Sequence, residues 1–290
     1  MHIRLIPVTY SCMGEEHTGL WNGPHRYMQA GAEQLLTERG FTVTVEHVEL
    51  DEPHRDIFQA AISINQKLAQ AVQHALAAEQ FPLVLSGTCD VSLGIVSCLD
   101  RSKSGIVWCD AHGDFNTPET SPSGNFVGMP LAVLTGHCYQ DLLTQVNDST
   151  PLPDSQVLMV DVRDLDTLER VSVERAAIPV VAVSDLQSDE QAMASSKLDT
   201  FAAHIHDIYL HLDIDVLDPQ ESPGIDYRTP GGPSVQEMGQ AIMTIGSLFH
   251  IQAAAITAYN PDLDQEDKTL QAGLHLLVQI AESARSSNRA

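Results

Sequence analysis

Apolar and polar positions alternate along the chain in two patterns. Short runs rich in Val, Ile and Leu, several of them without polar interruption, are typical of strands buried on both faces of a sheet. We predict strands at residues 2–9, 41–49, 82–86, 105–110, 156–163, 179–183, 207–215 and 251–259. Between these runs, apolar residues recur at the i, i+3 and i+4 spacing of amphipathic helices. We predict helices at residues 25–38, 57–76, 91–100, 128–135, 188–204, 234–247 and 266–282.

The alternation of strand and helix predicts the fold class. Parallel neighbours need crossover helices, so we expect a three-layer α/β/α sandwich on a mainly parallel sheet of about eight strands. The 290 residues contain no stretch that reads as a linker, repeat or low-complexity tract, which predicts one domain, 1–290. Ligand sites in such sheets gather beyond the carboxyl ends of the strands. The residues that directly follow each strand are therefore where chemistry is expected.

The charge balance excludes some partners. The chain has 15 Lys and Arg against 39 Asp and Glu, a formal net charge of −24. Nucleic acids and anionic membrane surfaces both require a basic footprint, so we expect neither as a partner. The five cysteines are odd in number and lack C-x-x-C spacing, as in the reduced thiols of cytoplasmic proteins. With no signal-like or membrane-spanning apolar run, the sequence predicts a soluble cytoplasmic protein.

Two predicted strands end in acidic motifs. After "SGIVWC", the segment "DAHGDFN" places Asp110, His112 and Asp114 at alternate positions, so their side chains point the same way in an extended chain. Such residues can also simply form turns. The second motif, "DIDVLDP", places Asp213 and Asp215 on one face at the end of another apolar strand. Buried carboxylates are costly unless a cation compensates them, so two such strand ends in one sheet favour a shared metal site.

This set of side chains suits a pair of metal ions. Four carboxylates and one imidazole, with Cys89 as a further candidate, can hold two divalent ions bridged by carboxylates and a water. Oxygen-rich ligation with one imidazole favours Mn²⁺. Water between two dications is acidified toward hydroxide near neutral pH, which supplies a nucleophile without a reactive Ser or Cys. The pattern therefore predicts a metal-dependent hydrolase.

The motifs "DAHGDFN" and "DIDVLDP" resemble those of the ureohydrolases, the family of arginase, agmatinase and formiminoglutamase, over nearly the whole chain. The resemblance implies an arginase-like domain with six metal ligands: Cys89, Asp110, His112, Asp114, Asp213 and Asp215. It implies that Asp110 and Asp213 bridge both ions, that Asp114 and Cys89 complete one ion, and that the remaining two ligands complete the other. Asp114 would also hold the bridging hydroxide, and we predict Asp114 and His112 as catalytic residues.

The resemblance also implies where the substrate binds. Arginases anchor the amino-acid end of their substrate on the loop that follows the first motif. At matching positions this loop has Asn116, Ser123 and Asn125, and Asp166 matches an acidic contact to the substrate's amino group. The match favours a substrate with an α-amino-acid tail.

Cys89 is a departure from the family pattern, because it stands where a metal-binding His is usual. A thiolate at a helix N-terminus beside two cations would be deprotonated and able to coordinate. It is softer than imidazole and pairs poorly with Mn²⁺, so Zn²⁺ or Fe²⁺ becomes an alternative. Two other interpretations of Cys89 are a small buried core residue and a nucleophile of the amidinotransfer type.

Further departures concern the substrate. Val127 replaces the family's proton-shuttle His, a kind of loss that typically costs about 10² to 10⁴ in rate. Ala258 stands where the guanidinium-binding Glu would fall, a contact worth roughly 2–5 kcal/mol when buried. Tyr227 and Arg228 add bulk beside the pocket. We consider His17 and His137 as replacements for the shuttle.

Cys89 and its neighbours, "NTPET" and the "Y-x-T-P" segment, resemble the branch that includes N-hydroxy-arginine amidinohydrolase. We therefore predict a binuclear, Mn-type hydrolase of a C–N bond in a guanidino or amidino compound, such as N-hydroxy-arginine, with release of urea or a substituted urea. The alternative is a catalytically inactive member of the fold that binds metal or ligand. The resemblance also implies a homo-oligomer, a trimer or hexamer.

Overall fold

Parallel strands form one central sheet in the structure, a computed structural model that describes residues 1–13, 18–51, 56–186, 197–198 and 200–287. The strands are β1 (His2–Thr9), β2 (Thr42–Val45), β3 (Val48–Glu49), β4 (Phe81–Ser86), β5 (Ser104–Cys109), β6 (Val157–Val160), β7 (Val180–Val181), β8 (Asp207–Asp213) and β9 (His250–Thr257). Their order is β2-β1-β4-β9-β8-β5-β6-β7, with β3 also paired to β1. Every pairing is parallel.

Helices cover both faces of this sheet. They are α1 (Thr18–Gln29), α2 (Ala32–Glu38), α3 (Ile57–Ala77), α4 (Ser92–Val96), α5 (Pro130–Leu134), α6 (Asp141–Asn147), α7 (Thr167–Ala176), α8 (Val235–Leu248) and α9 (Lys268–Ser287). One apolar core contains side chains of α1, α2, α8 and α9, and the other contains side chains of α3 to α6. Strand alternation divides β4 between them, since Leu83 and Leu85 belong to the first core and Val84 to the second. The predicted three-layer sandwich is confirmed.

Several element boundaries differ from the sequence prediction. The predicted strand 41–49 is two short strands, β2 and β3, which both pair with β1. The predicted helix 25–38 is also divided, into α1 and α2, because Gly31 adopts a φ of +88 between them. Most of the predicted helix 188–204 lies outside the described residues. Within the described ranges, no helix has the length and apolarity to cross a membrane.

The sheet order explains which loops meet. Strands β4, β9, β8 and β5 are consecutive neighbours, so the segments after their carboxyl ends lie beside one another at the same edge. In sequence these segments begin near Cys89, Ala258, Asp213 and Asp110. Sequence-distant residues are thereby brought to one place.

Asn65 of α3 fixes the segment that follows Cys89. Its side-chain amide donates to the Ala61 carbonyl at 2.9 Å, and its Oδ1 accepts the Gly94 N–H of α4 at 2.7 Å. A Cβ at Gly94 would lie only 2.8 Å from the Asn65 carbonyl oxygen, so glycine permits this close approach. The short helix after Cys89 is therefore held to a long helix that packs on the sheet.

We expect the substitution Asn65→Ala to lower the free energy of unfolding by about 1–3 kcal/mol, because the buried Gly94 N–H loses its acceptor. Urea denaturation would measure the change. Gln70→Ala, at an exposed position of the same helix, is the matched control and should change stability by less than about 0.5 kcal/mol. Equal effects of the two substitutions would contradict the role given to Asn65.

Candidate metal centre and substrate cleft

A cleft of about 330 Å³ opens at the carboxyl ends of the central strands. It is lined by all ten side chains that the sequence predicts as metal ligands or substrate contacts, namely Cys89, Asp110, His112, Asp114, Asn116, Ser123, Asn125, Asp166, Asp213 and Asp215. They come from four separate segments of the chain, and the parallel sheet brings those segments together. The positions Val127, Tyr227 and Ala258 line the same cleft.

Asp110 is oriented by donors on both of its carboxylate oxygens. The indole Nε1–H of Trp108, two residues earlier on β5, donates to Oδ2 at 3.0 Å. The backbone N–H of His112 donates to Oδ1 at 2.7 Å. The carboxylate is nearly completely buried, and these contacts fix its rotation before any ligand binds.

The two acidic motifs interlock through Asp215. Its Oδ1 accepts the Ala111 N–H at 3.2 Å, and its Oδ2 lies 3.0 Å from the Nδ1 of His112. Asp213 caps the turn between the two carboxylates, since its Oδ1 accepts the Asp215 N–H at 2.8 Å. Candidate ligand atoms of Asp110, His112 and Asp215 all lie within 4.8 Å of one another, a spacing compatible with one ion.

Cys89 contacts the second carboxylate oxygen of Asp213, the one that does not cap this turn. Its buried Sγ is 2.9 Å from Oδ2 of Asp213 and 3.3 Å from Oγ1 of Thr257, at the end of β9. As a thiol it donates to the Asp213 carboxylate. Cys89, Asp110 and Asp213 form, together with His211, a second group whose ligand atoms lie within 4.8 Å of one another.

Asp114 belongs to neither group, yet it is buried in the same cleft. Its backbone adopts a left-handed φ of +46, and its carbonyl accepts the N–H groups of Leu131 and Ala132 at the start of α5. Its Oδ2 is buried and finds no hydrogen-bond partner among the described residues. A buried carboxylate oxygen without a partner is what a bound cation would satisfy.

The electrostatics of this cluster also fit a cation. Burial, and then the charge of a neighbouring carboxylate, raises the pKa of Asp110, of Asp114 and of Asp215, and raises the pKa of Asp213 to about 8. Burial alone would lower the pKa of His112, but the charges of Asp215 and Asp110 raise this pKa to about 12. Burial likewise raises the pKa of the Cys89 thiol. Without a metal ion the cluster holds protons, and divalent cations are the natural substitute for them.

The candidate substrate loop is held by polar contacts. The Asn116 side chain donates to Oδ2 of Asp166 at 3.0 Å, and Asn125 and Tyr227 line the cleft with them. Ser123 is exposed, and its hydroxyl oxygen accepts the Asn125 N–H at 3.2 Å. The four predicted substrate contacts thus form a polar rim on one side of the cleft.

Some of the positions that depart from the family pattern line the cleft, and others do not. Tyr227 narrows the cleft, whereas the Arg228 guanidinium donates to the Pro223 carbonyl at 2.7 Å and does not line the cleft. Ala258 has a left-handed φ of +64. His137, which we considered as a replacement shuttle, is also absent from the cleft lining: its Nε2 lies 2.9 Å from Oδ1 of Asp154. His17 lies outside the described residues.

Sequence reasoning missed two buried residues of this site. Glu169 accepts the Phe115 N–H at 2.9 Å and the Asp166 N–H at 3.1 Å, so it joins the two sides of the cleft. The spacing of a helix capping box at 166–169 was the available signal. The other is His211, whose i, i+2 relation to Asp213 is the pattern that revealed the first motif. Burial lowers the pKa of His211 to about 3, so its ring is neutral.

Comparisons with known proteins agree with one another. A sequence model described as the Arginase family matches residues 1–282. The arginase of Brevibacillus brevis is 30% identical over 283 residues, which cover 92% of this chain and 94% of that protein. The arginase of Bacillus subtilis (strain 168) is 29% identical over 275 residues, or 91% and 93%. The crystal structure of arginase from Bacillus cereus has a TM-score of 0.85 and 26% identity, and the match covers 97% of this chain and 98% of that chain.

We expect the metal-free protein to lose stability as the pH rises from about 4 to about 8. The pKa of Asp213 is raised from 3.8 to about 8 in the folded state. In this window the folded protein keeps a proton that the unfolded chain has released, so stability must fall with increasing pH. Thermal unfolding in EDTA at about pH 4.5, 6 and 8, which together span this window, would measure the trend in Tm.

The variant Asp213→Asn is the control, since it cannot titrate and should make the dependence shallower. The dependence that remains belongs to the other buried carboxyl groups and to His112, whose pKa values are also raised. Added Mn²⁺ or Zn²⁺ should raise Tm more at pH 8 than at pH 5, because the ion competes with protons for the same oxygens. A Tm that rises between pH 4.5 and 8 without metal would contradict the account.

Proposed function

Because the chain belongs to the arginase family, we propose that it hydrolyses a C–N bond of a guanidino or amidino compound at a centre of two divalent metal ions. The observation that carries this proposal is the buried set of carboxylates in one cleft, with an unpartnered Asp114 oxygen among them in the described part of the chain. Such a set has no evident purpose in a protein that binds no cation.

The residues we propose as ligands fall into two overlapping sets. Asp110, His112 and Asp215 would hold one ion, and Cys89 with Asp110 and Asp213 would hold the other, with Asp114 completing it. The shared residue Asp110 and its neighbour Asp213 would contact both ions. The ions, once bound, would acidify a water and polarise the substrate's C–N centre.

The protein's own residues would orient the attacking water and accept its proton. Asp114 Oδ2, buried and unpartnered among the described residues, would accept the hydrogen bond of the attacking water and take its proton. His112 stays oriented by Asp215, and we propose Asp114 and His112 as the catalytic residues. The water oxygen would bond to the trigonal carbon, the electron pair of the breaking C–N bond would leave with the amine nitrogen, and that amine would take a proton. With Val127 in the cleft, that proton would come from solvent. Asp114 would release the proton of the attacking water to solvent, which restores its carboxylate.

We propose an arginine derivative as substrate, with N-hydroxy-arginine as the first candidate. Asn116, Ser123, Asn125 and Asp166 form a polar rim suited to an α-amino-acid tail. Ala258, in contrast, offers no charge to a guanidinium group. A cleft without this charged contact should prefer a guanidine derivative whose binding does not depend on a charged partner.

Manganese is the proposed metal for the oxygen-rich side of the centre, with Zn²⁺ or Fe²⁺ as alternatives beside Cys89. We further propose a one-domain, cytoplasmic protein that forms homo-oligomers and binds neither nucleic acid nor membrane. The five cysteines, all within the described ranges, are free thiols, which agrees with a reducing compartment.

The variants Asp114→Asn and Asp213→Asn should each lose urea or hydroxyurea formation by at least about a hundredfold, with weaker metal binding in the same protein. Metal content by mass spectrometry and product release from arginine, N-hydroxy-arginine and agmatine would measure both. Asp141→Asn, at an exposed site on α6, is the control and should behave as wild type. Full activity of either cleft variant would contradict the mechanism.

The same assay tests the second candidate function, an inactive member of the fold. Val127 and Ala258 favour it, because Val127 stands where the family has its proton-shuttle His and Ala258 stands where it has its guanidinium-binding Glu. Wild-type protein that binds metal but releases no product from any of these compounds would support binding without catalysis.

The variant Val127→His should raise kcat for arginine and for N-hydroxy-arginine by about 10-fold to 100-fold, because release of urea or hydroxyurea expels the same side-chain amine and a positioned imidazole can give that amine its proton. Val127→Asn, polar but not titratable, is the matched control and should give no such gain. Steady-state kinetics on both substrates would measure the two kcat values. An equal gain with Val127→Asn, or no gain with Val127→His on either substrate, would argue against missing proton transfer as the cause of a low rate.

A further inference from the structure

His211 is buried directly behind the candidate metal centre. It lies two residues before Asp213 on β8, and its ring stacks on Trp108 of the neighbouring strand, with centroids 3.6 Å apart and planes 14° apart. The residue is fully buried and, unlike Cys89 and Asp110, does not line the cleft. Its Nε2 has no hydrogen-bond partner within the part of the chain that the structure describes.

The other ring nitrogen of His211 has a full set of contacts. Its Nδ1 lies 3.0 Å from the Tyr209 hydroxyl and 3.2 Å from the Ser92 hydroxyl, and these hydroxyls are 2.9 Å apart. If Ser92 donates to Tyr209 and Tyr209 donates to Nδ1, both hydroxyl protons are used. If Nδ1 carried the proton, one hydroxyl proton of this triad would lack an acceptor. The neutral ring therefore carries its proton on Nε2.

Possible acceptors lie close to the His211 ring. One ring nitrogen lies within 4.8 Å of ligand atoms of Cys89, Asp110 and Asp213, and Nδ1 is the nitrogen that contacts the two hydroxyls. The stacked Trp108 ring provides a parallel case, since its N–H donates to Asp110 at 3.0 Å. Two aromatic rings thus lie behind the ligands, and each offers one N–H donor.

The sulfur of Cys89 is the acceptor that still needs a donor. Both oxygens of Asp110 already accept N–H groups, and both oxygens of Asp213 accept hydrogen bonds, one of them from the Cys89 thiol. When Cys89 coordinates as a thiolate, it ceases to donate, and Thr257 at 3.3 Å is its remaining hydroxyl contact. A thiolate in so buried a place requires further donors.

We propose that His211 is a positioning residue for Cys89, and that its Nε2–H donates a hydrogen bond to the Cys89 sulfur in the metal-loaded protein. The inference rests on the proposed function, in which Cys89 is a ligand. An N–H donor withdraws charge from the sulfur and orients it, as outer partners of metal ligands generally do. His211 would thereby let a soft ligand serve in an otherwise oxygen-rich site.

Cobalt-loaded protein offers a readout that is independent of activity. A thiolate ligand gives a sulfur-to-cobalt charge-transfer band in the near ultraviolet, and loss of a hydrogen bond to sulfur should move this band to lower energy. The variant His211→Met, similar in volume but without an N–H, should show that shift and bind Co²⁺ about 10-fold to 100-fold more weakly. His211→Gln, whose amide can reach the Nε2 position, should restore most of both properties.

Controls keep the result specific to His211. His74→Gln, at an exposed position of α3, should match wild type in band energy and affinity. If His211→Met does not fold, as judged by circular dichroism, His211→Leu replaces it in the comparison with His211→Gln. An unchanged band in a folded variant without the N–H would overturn the proposal.

Two other outcomes would overturn it in distinguishable ways. If His211→Met and His211→Gln both lose one nitrogen ligand in X-ray absorption, His211 is itself a ligand and does not act through Cys89. If wild-type protein binds Co²⁺ without a charge-transfer band, Cys89 is not a ligand, and the ligand assignment under the proposed function fails together with the role of His211. Failure of wild-type protein to bind Co²⁺ would refute the metal centre as a whole.

Discussion

Four carboxyl groups, Asp110, Asp114, Asp213 and Asp215, are buried in one cleft where neighbouring parallel strands end, and their mutual repulsion is relieved only by protons or cations. Burial first, and then the charge of a neighbouring carboxyl group, raises the pKa of each of these four groups. Hydrogen bonds from backbone N–H groups fix the carboxylates but do not neutralise them. The rest of the site is arranged around this uncompensated charge.

Hydrogen bonds between separate segments of the chain hold the buried carboxyl groups in place against their mutual repulsion. Asp215 accepts a backbone N–H from the loop after β5, so the two acidic motifs hold each other. Glu169 joins the loop after Asp114 to the start of α7, and Asn65 anchors the helix after Cys89. These contacts position ligands that belong to different strands, which is the property a preorganised metal centre needs.

The family pattern and its departures are explained by the same geometry. The two acidic motifs are intact, and three of the altered positions, Cys89, Val127 and Ala258, line the cleft beside them. Substitutions at such positions change the surface of the cleft, where substrate and metal would bind, and leave the hydrogen bonding of the sheet intact. The buried His211 lies beside Cys89, behind the cleft.

The sequence by itself determined the fold class, the family and ten of the side chains that line the cleft, because strand periodicity and the two acidic motifs are local signals. It placed β4, β5 and β8 but could not show that β9 lies between β4 and β8, and so did not reveal Thr257 beside Cys89. Glu169 and His211 also escaped it, since the capping-box spacing of Glu169 and the i, i+2 relation of His211 to Asp213 do not show what either buried side chain contacts. Only the tertiary structure decided those partners, because they come from strands and helices that are distant in sequence and meet through the order of the sheet.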